Sequence, residues 1–188
     1  MDDVVYPAFL KLRGRRVLVV GAGPVAAGKI QGLLAAGARV EVVAPDVRPD
    51  IERSGVVIHQ REFRASDLDE AWYVVAAAPP PVNRQVLAAG EARQVFVNAV
   101  DDPENATAYA GGVVRRSHLT IAISTDGRAP ALAGLVREAL DAWLPGELDG
   151  WLDAADRARR EWKAENVPMN QRRPQLLQVL NRLYDEQH

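Results

Sequence analysis

The sequence predicts an α/β protein: a doubly wound parallel sheet over roughly the first hundred residues, then a small α+β segment and a helical tail. Three features carry that prediction. Strand-length apolar runs alternate with helix-period stretches as far as Val100. The runs are apolar throughout rather than alternating, as strands covered on both faces are. A glycine-rich turn joins the first run to the first helical stretch, the local form of a βαβ unit.

In chain order, an apolar strand starts at Arg16 and ends in the turn Gly21-Ala22-Gly23. A helix follows, with Val25, Ile30, Leu33 and Leu34 at helical spacing and Gly37 as its C-terminal cap. RVEVVA at 39–44 is the second strand, and VVIHQ at 56–60, WYVVAAA at 72–78 and VFVNAV at 95–100 are three more. Helical stretches near 66–71 and 82–92 lie between them. Beyond Pro103 the pattern changes. Residues 113–125 read as two strands around a Ser117-His118 turn, and PALAGLVREALDAWL from Pro130 as an amphipathic helix with proline in its first turn. Pro145-Gly146 breaks the chain before a charged helical tail that contains Trp151, Trp162, Leu176, Leu177, Val179 and Leu180. The expected segments are 1–108, 109–145 and 146–188.

Composition excludes several functions. A net charge of −2 offers no basic stripe for nucleic acid. The absence of cysteine excludes disulfides, thiolate metal sites and thiol nucleophiles, and three scattered histidines form no ligand cluster. The acidic start MDDVVYPAF lacks the basic and apolar segments of a secretory signal, and no apolar run approaches membrane-span length, so a cytoplasmic protein without a membrane partner is expected.

VLVVGAGPVAAGK, residues 17–29, fits two phosphate loops. As a triphosphate loop it would need a hydroxyl after Lys29 to hold magnesium, but Ile30 stands there, and Pro24 has no N–H for the cradle. As a dinucleotide loop every position fits: Gly21 makes the turn, Gly23 admits the pyrophosphate, Pro24 starts the helix beside Val25, and Ala26 lets helix and strand pack closely. Gly28 and Lys29 then lie inside the helix. Pro45 and Asp46 follow the second strand where a ribose ligand is expected. Asp46 would favour NAD, an inward Arg48 would favour NADP, and both fit a solvated loop equally well.

Ligands of such sheets bind beyond the carboxyl ends of the strands, where Asp101-Asp102 follow VFVNAV. The residues alone fit either a reactive carboxylate or a strand-ending turn. Asn98 fits a cofactor contact or a satisfied strand amide.

YPAFLKLRGRRVLVVGAGPVAAGK, VNAVDDP at 97–103 and LTIAISTDGRAPALAGLVRE at 119–138 together resemble the bacterial precorrin-2 dehydrogenase family, which includes the N-terminal part of sirohaem synthases. The resemblance spans about residues 4–145. It implies a Rossmann domain, a small central dimerisation domain and a helical tail in a homodimer. The implied activity is NAD-dependent oxidation of precorrin-2 to sirohydrochlorin, in some members followed by Fe2+ chelation. It places the essential acid at Asp101, leaving Asp102 as a turn or helper residue. Precorrin-2 is a polycarboxylate, so Arg115, Arg116 and Arg128, with His118 nearby, are candidate substrate clamps, and Ser124 and Thr125 candidate carboxylate ligands. Solvated hairpin charges and turn caps account for the same residues. His59 and His188 are expected to be structural or exposed, and the tail to close over the site or pack on the dimer. Two places depart from the family pattern: Ala78-Pro79-Pro80-Pro81 replaces a Thr-Asp-Asp-like stretch, and AYAGGVVRR lacks the usual Phe and Pro spacing. A non-catalytic NAD-responsive or scaffold protein of the same fold is the alternative reading.

Overall fold

The computed structural model describes residues 5–187; the acidic start at 1–4 and His188 lie outside the described residues. Two compact units emerge. The first holds the chain up to Ala110 together with Ser124–Ala129, and the second holds Gly111–Ile123 and everything from Pro130 onward.

The first unit is built on five strands, β1 (Arg16–Val20), β2 (Arg39–Val43), β3 (Val57–His59), β4 (Tyr73–Ala76) and β5 (Phe96–Ala99), all parallel in the order β3-β2-β1-β4-β5. The chain reverses direction of winding between β1 and β4, which makes the crevice beyond their carboxyl ends the natural ligand position. Register aligns those ends: Val20 pairs with Val43 and with Ala76, and Ala76 with Ala99. All five expected strands are present, and the fold is the expected Rossmann type.

Helix α1 (Pro24–Ala35) covers one face through Ala26, Ile30 and Leu33, which pack with Val17, Val19, Val40, Val42 and Val75. It ends as the sequence predicts: Gly37 adopts φ +75, and the N–H groups of Gly37 and Ala38 return to the carbonyls of Leu34 and Leu33. Helix α3 (Pro80–Glu91) covers the other face through Val86 and Ala89, against Leu18, Val74 and Val97. The connection after β2 is the one-turn helix α2 (Pro49–Glu52). The stretch near 66–71 is not an α-helix but a 3-10 turn at Ala65–Leu68, because Asp67 folds back to accept the Arg64 N–H at 2.8 Å and the Arg61 guanidinium, tightening the turn.

In the second unit, β6 (Gly112–Arg116) and β7 (Leu119–Ile123) pair antiparallel around Ser117-His118, with Ser117 at φ +47. Helix α4 (Pro130–Trp143) lies on this hairpin, and the two pack closely at Gly112, where a Cβ would sit 3.1 Å from the Ala133 carbonyl oxygen. Helices α5 (Leu148–Ala164) and α6 (Met169–Gln187) form the tail and pack on each other. Trp151 and Trp162 are half-buried, while Leu177 is exposed. No described helix is long and apolar enough to cross a membrane.

Candidate functional site

The glycine bend at the end of β1 is enforced from two sides. Gly21 has φ +99, and a Cβ on it would lie 2.3 Å from the Ala77 carbonyl oxygen, so the β4 extension passes directly against it. Its N–H continues the ladder to the Val43 carbonyl at 2.9 Å, while the Ala77 N–H bonds Val20 at 2.8 Å. Two residues on, Gly23 is the N-cap of α1 in an extended conformation, and a Cβ there would meet nothing within 4 Å. No side chain caps this helix, and its first turn holds no acid. Pro24 contributes no N–H, which leaves Val25 and Ala26 as first-turn donors; Val25 is exposed. Open space over Gly23 at an uncapped helix N-terminus fits an anionic pyrophosphate.

Beyond β2, Pro45 and Asp46 are exposed at the same end of the sheet. Arg48 does not stand free. Its guanidinium forks onto Asp50, Nε to Oδ1 at 3.0 Å and an Nη to Oδ2 at 3.1 Å. The pairing raises the pKa of Arg48 and lowers that of Asp50, through the hydrogen bond first in each case. Neither side chain is buried, so the pair orients Arg48 more than it stabilises the fold.

The proline run at 79–81 opens helix α3. Pro79 is the N-cap of α3, and Pro80 and Pro81 begin its first turn. Prolines fit where helical N–H groups lack partners, but they also leave that turn poor in donors for a ligand. The buried polar side chain nearby is Asn83, which the sequence alone did not single out. It is 1% exposed; its Oδ1 accepts the Ala78 N–H at 3.2 Å, and its Nδ2 donates to Asp102 Oδ2 at 3.1 Å. A signal was available, since an Asn in the apolar face of an amphipathic helix needs a partner.

The tip of β5 carries the two acids in different states. The Val100 N–H still bonds Ala76, so Asp101 is the first residue past the ladder. It is exposed and left-handed, φ +56, a conformation Asp tolerates better than most residues. Asp102 is half-buried and clamped: besides Asn83, the Asn105 Nδ2 reaches both its oxygens at 2.9 and 3.0 Å. Asn98 is 5% exposed, with its Nδ2 donating to the Ala108 carbonyl at 3.0 Å and its Oδ1 without a partner.

The segment Ser124–Ala129 belongs to the same unit as this tip. Asp126 and Gly127 are both left-handed, and a Cβ on Gly127 would sit 3.0 Å from Pro103 and 3.4 Å from the Tyr109 ring. The turn therefore packs on the residue that follows Asp102. Within it, the Ser124 Oγ accepts the Asp126 N–H at 3.1 Å and the Thr125 Oγ1 accepts the Ala129 N–H at 3.2 Å, so both hydroxyls cap the turn. Arg128 is exposed. Arg115 and Arg116 lie on β6 in the second unit; Arg116 is engaged with Asp141 of α4 at 3.0 Å, and Arg115 and His118 are exposed. His59 is half-exposed on β3, its Nε2 3.3 Å from Glu41, which also receives the Arg16 fork. Among the described residues no group of His, Asp and Glu side chains could hold a metal ion.

Comparison with known proteins agrees with this geometry. Residues 8–112 match the family model described as putative NAD(P)-binding, and residues 116–142 match that of the sirohaem biosynthesis protein central region. The chain is 42% identical over 175 residues to a sirohaem synthase of Pseudomonas entomophila, covering 89% of this chain and 37% of that protein. It is 37% identical over 180 residues to a sirohaem synthase of Photorhabdus laumondii, covering 93% of this chain and 38% of that one. The chain thus spans well under half the length of these relatives. Among solved structures, SirC, a precorrin-2 dehydrogenase, superposes with a TM-score of 0.70 at 25% identity, covering 93% of this chain and 89% of SirC. The chain therefore belongs to the family described as putative NAD(P)-binding and carries a sirohaem biosynthesis central region, in agreement with the precorrin-2 dehydrogenase family that its sequence resembles.

Proposed function

We propose that the chain is an NAD-dependent dehydrogenase that oxidises precorrin-2 to sirohydrochlorin in the cytoplasm, acting as a homodimer. The observation that carries the reading is the placement of an unengaged carboxylate, Asp101, one residue past β5, in the same unit as the open glycine bend at Gly23. Gly21 and Gly23 would seat the pyrophosphate against the Val25 and Ala26 N–H groups, with Pro45 and Asp46 at the adenosine ribose. Fixing Arg48 on Asp50 leaves Asp46 as the free charged group there, which supports NAD over NADP. Bound NAD would supply the hydride acceptor.

Dehydrogenation removes a hydride and a proton from the macrocycle, and Asp101 takes the proton as general base. Arg128, exposed in the turn that Ser124 and Thr125 shape, meets a peripheral carboxylate; on β6 of the second unit Arg115 is the exposed candidate for such a contact, while Arg116 is held by Asp141. Where Fe2+ is inserted as a substrate, the exposed Asp101 carboxylate takes the two displaced pyrrole protons one at a time and passes each to solvent.

Anaerobic incubation of the protein with precorrin-2 and NAD tests the reading by absorbance. Sirohydrochlorin and NADH appear together and in equal amounts; if neither forms, the chain is a scaffold of the same fold. Ferrous ion added to sirohydrochlorin then tests chelation, and light scattering tests the dimer, where a mass of one chain refutes it.

A further inference from the structure

One buried side chain touches both halves of the site. Asn83 sits in the first turns of α3, 1% exposed, and uses each end of its amide on a different loop. Its Oδ1 receives the Ala78 N–H, and Ala78 belongs to the backbone that walls in Gly21: a Cβ at Gly21 would lie 2.3 Å from the Ala77 carbonyl oxygen and 3.2 Å from the Ala78 nitrogen. Its Nδ2 donates to Asp102, whose other partner is the Asn105 amide, itself 9% exposed. Asp102 is thus held by two buried donors, and Asp101, joined to it, projects into solvent in a left-handed conformation. Such a conformation persists only where the surroundings hold it.

We propose that Asn83 is a positioning residue that sets the acid tip of β5 in register with the wall of the glycine bend, acting through Asp102 on Asp101 and through Ala78 on the cofactor loop. The inference rests on the reading of Asp101 as the base. Its two arms are separable, because the amide oxygen serves the cofactor side and the amide nitrogen serves the acid side. Ala78 and Asp102 lie past the ends of different strands, β4 and β5, and the Asn83 amide bonds to both.

The experiment uses the whole chain, with calorimetric NAD affinity and steady-state turnover of precorrin-2 measured on each variant and melting temperature as a control for folding. N83D keeps the acceptor for Ala78 but sets a carboxylate against Asp102. NAD affinity then stays within about two-fold of the wild type while kcat falls at least about ten-fold. In the double variant N83D/D102N the donor and acceptor are exchanged, and kcat returns to within about three-fold of the wild type. N83A removes both arms, so NAD affinity and kcat fall together. A kcat for N83D within about two-fold of the wild type overturns the proposal, as does a loss in N83D that the exchange does not rescue, which is the behaviour of a residue that only supports the fold.

If N83D does not fold, N105A makes the same test on the other donor to Asp102: kcat falls at least about five-fold with NAD affinity unchanged, and an unchanged kcat overturns the proposal. D101A keeps the two failures apart. Full turnover in D101A removes the base itself and the proposal with it, whereas an inactive D101A beside a fully active N83D removes the positioning role alone.

Discussion

Substituting the two glycines of the bend, one at a time, separates binding from folding. At Gly23 the backbone is extended with φ −83 and a Cβ enters empty space, so G23A costs only the weaker capping of alanine, about 1 kcal/mol or less. In the proposed binding mode that same space is where the pyrophosphate would approach the Val25 and Ala26 N–H groups. A methyl there displaces the anion by about 1 Å and weakens two charge-assisted hydrogen bonds worth roughly 1.5–3 kcal/mol each. NAD affinity therefore falls at least about ten-fold, since ten-fold corresponds to about 1.4 kcal/mol. At Gly21 the order reverses. A Cβ 2.3 Å from the Ala77 carbonyl oxygen must gain about 1 Å to reach ordinary contact, at a φ of +99. Backbone strain of roughly 1–3 kcal/mol and overpacking of roughly 1–3 kcal/mol together lower Tm by about 5 °C or more in a chain of this size. Scanning calorimetry gives the stabilities and titration calorimetry the affinities. An unchanged NAD affinity in G23A, or a loss of Tm in G23A equal to that in G21A, refutes the argument.

D50N releases Arg48, so NADP affinity rises relative to NAD by at least about three-fold by calorimetry, because a freed guanidinium attracts a 2′-phosphate. G127A places a methyl 3.0 Å from Pro103 at φ +74 and lowers kcat more than NAD affinity, measured in the same anaerobic assay. Acid stability is set in part by Asp67, where burial raises the pKa but the Arg61 guanidinium and the Arg64 N–H together outweigh it and hold the group low. Since its folded pKa lies below the 3.8 of an ordinary aspartate, its contribution is fully present above that value and is lost as pH falls through the folded pKa. Urea midpoints of the wild type therefore drop on acidification below about pH 4, and D67N, weaker at neutral pH, shows a flatter acid limb.

The five strands were legible because a covered parallel sheet writes itself as unbroken apolar runs, and the bend was legible because Gly21, Gly23 and Ala26 each answer one steric demand. Helix α1 and its Gly37 cap followed from periodicity and one left-handed glycine. The segment near 66–71 was not legible as a 3-10 turn, since the choice rests on Asp67 meeting Arg61 and the Arg64 N–H. Place after a strand left Asp101 and Asp102 open between a reactive carboxylate and a turn, and only the resemblance set Asp101 apart; the clamp on Asp102 was not legible, because it comes from Asn83, 19 positions away in sequence, and from Asn105. Likewise Ser124 and Thr125 read equally as ligands or caps until their hydroxyls were seen to accept the Asp126 and Ala129 N–H groups. Spacing reports which residues share an element; it carries no information on which side chains meet across loops.

If the bend and the acid tip serve one bound coenzyme, a crystal structure of the chain soaked with NAD shows pyrophosphate density over Gly23 at the start of α1, with the nicotinamide ring on the side of the β5 tip that carries Asp101. An empty bend, or a ring seated with Asp101 turned away from it, means that the two do not share a coenzyme.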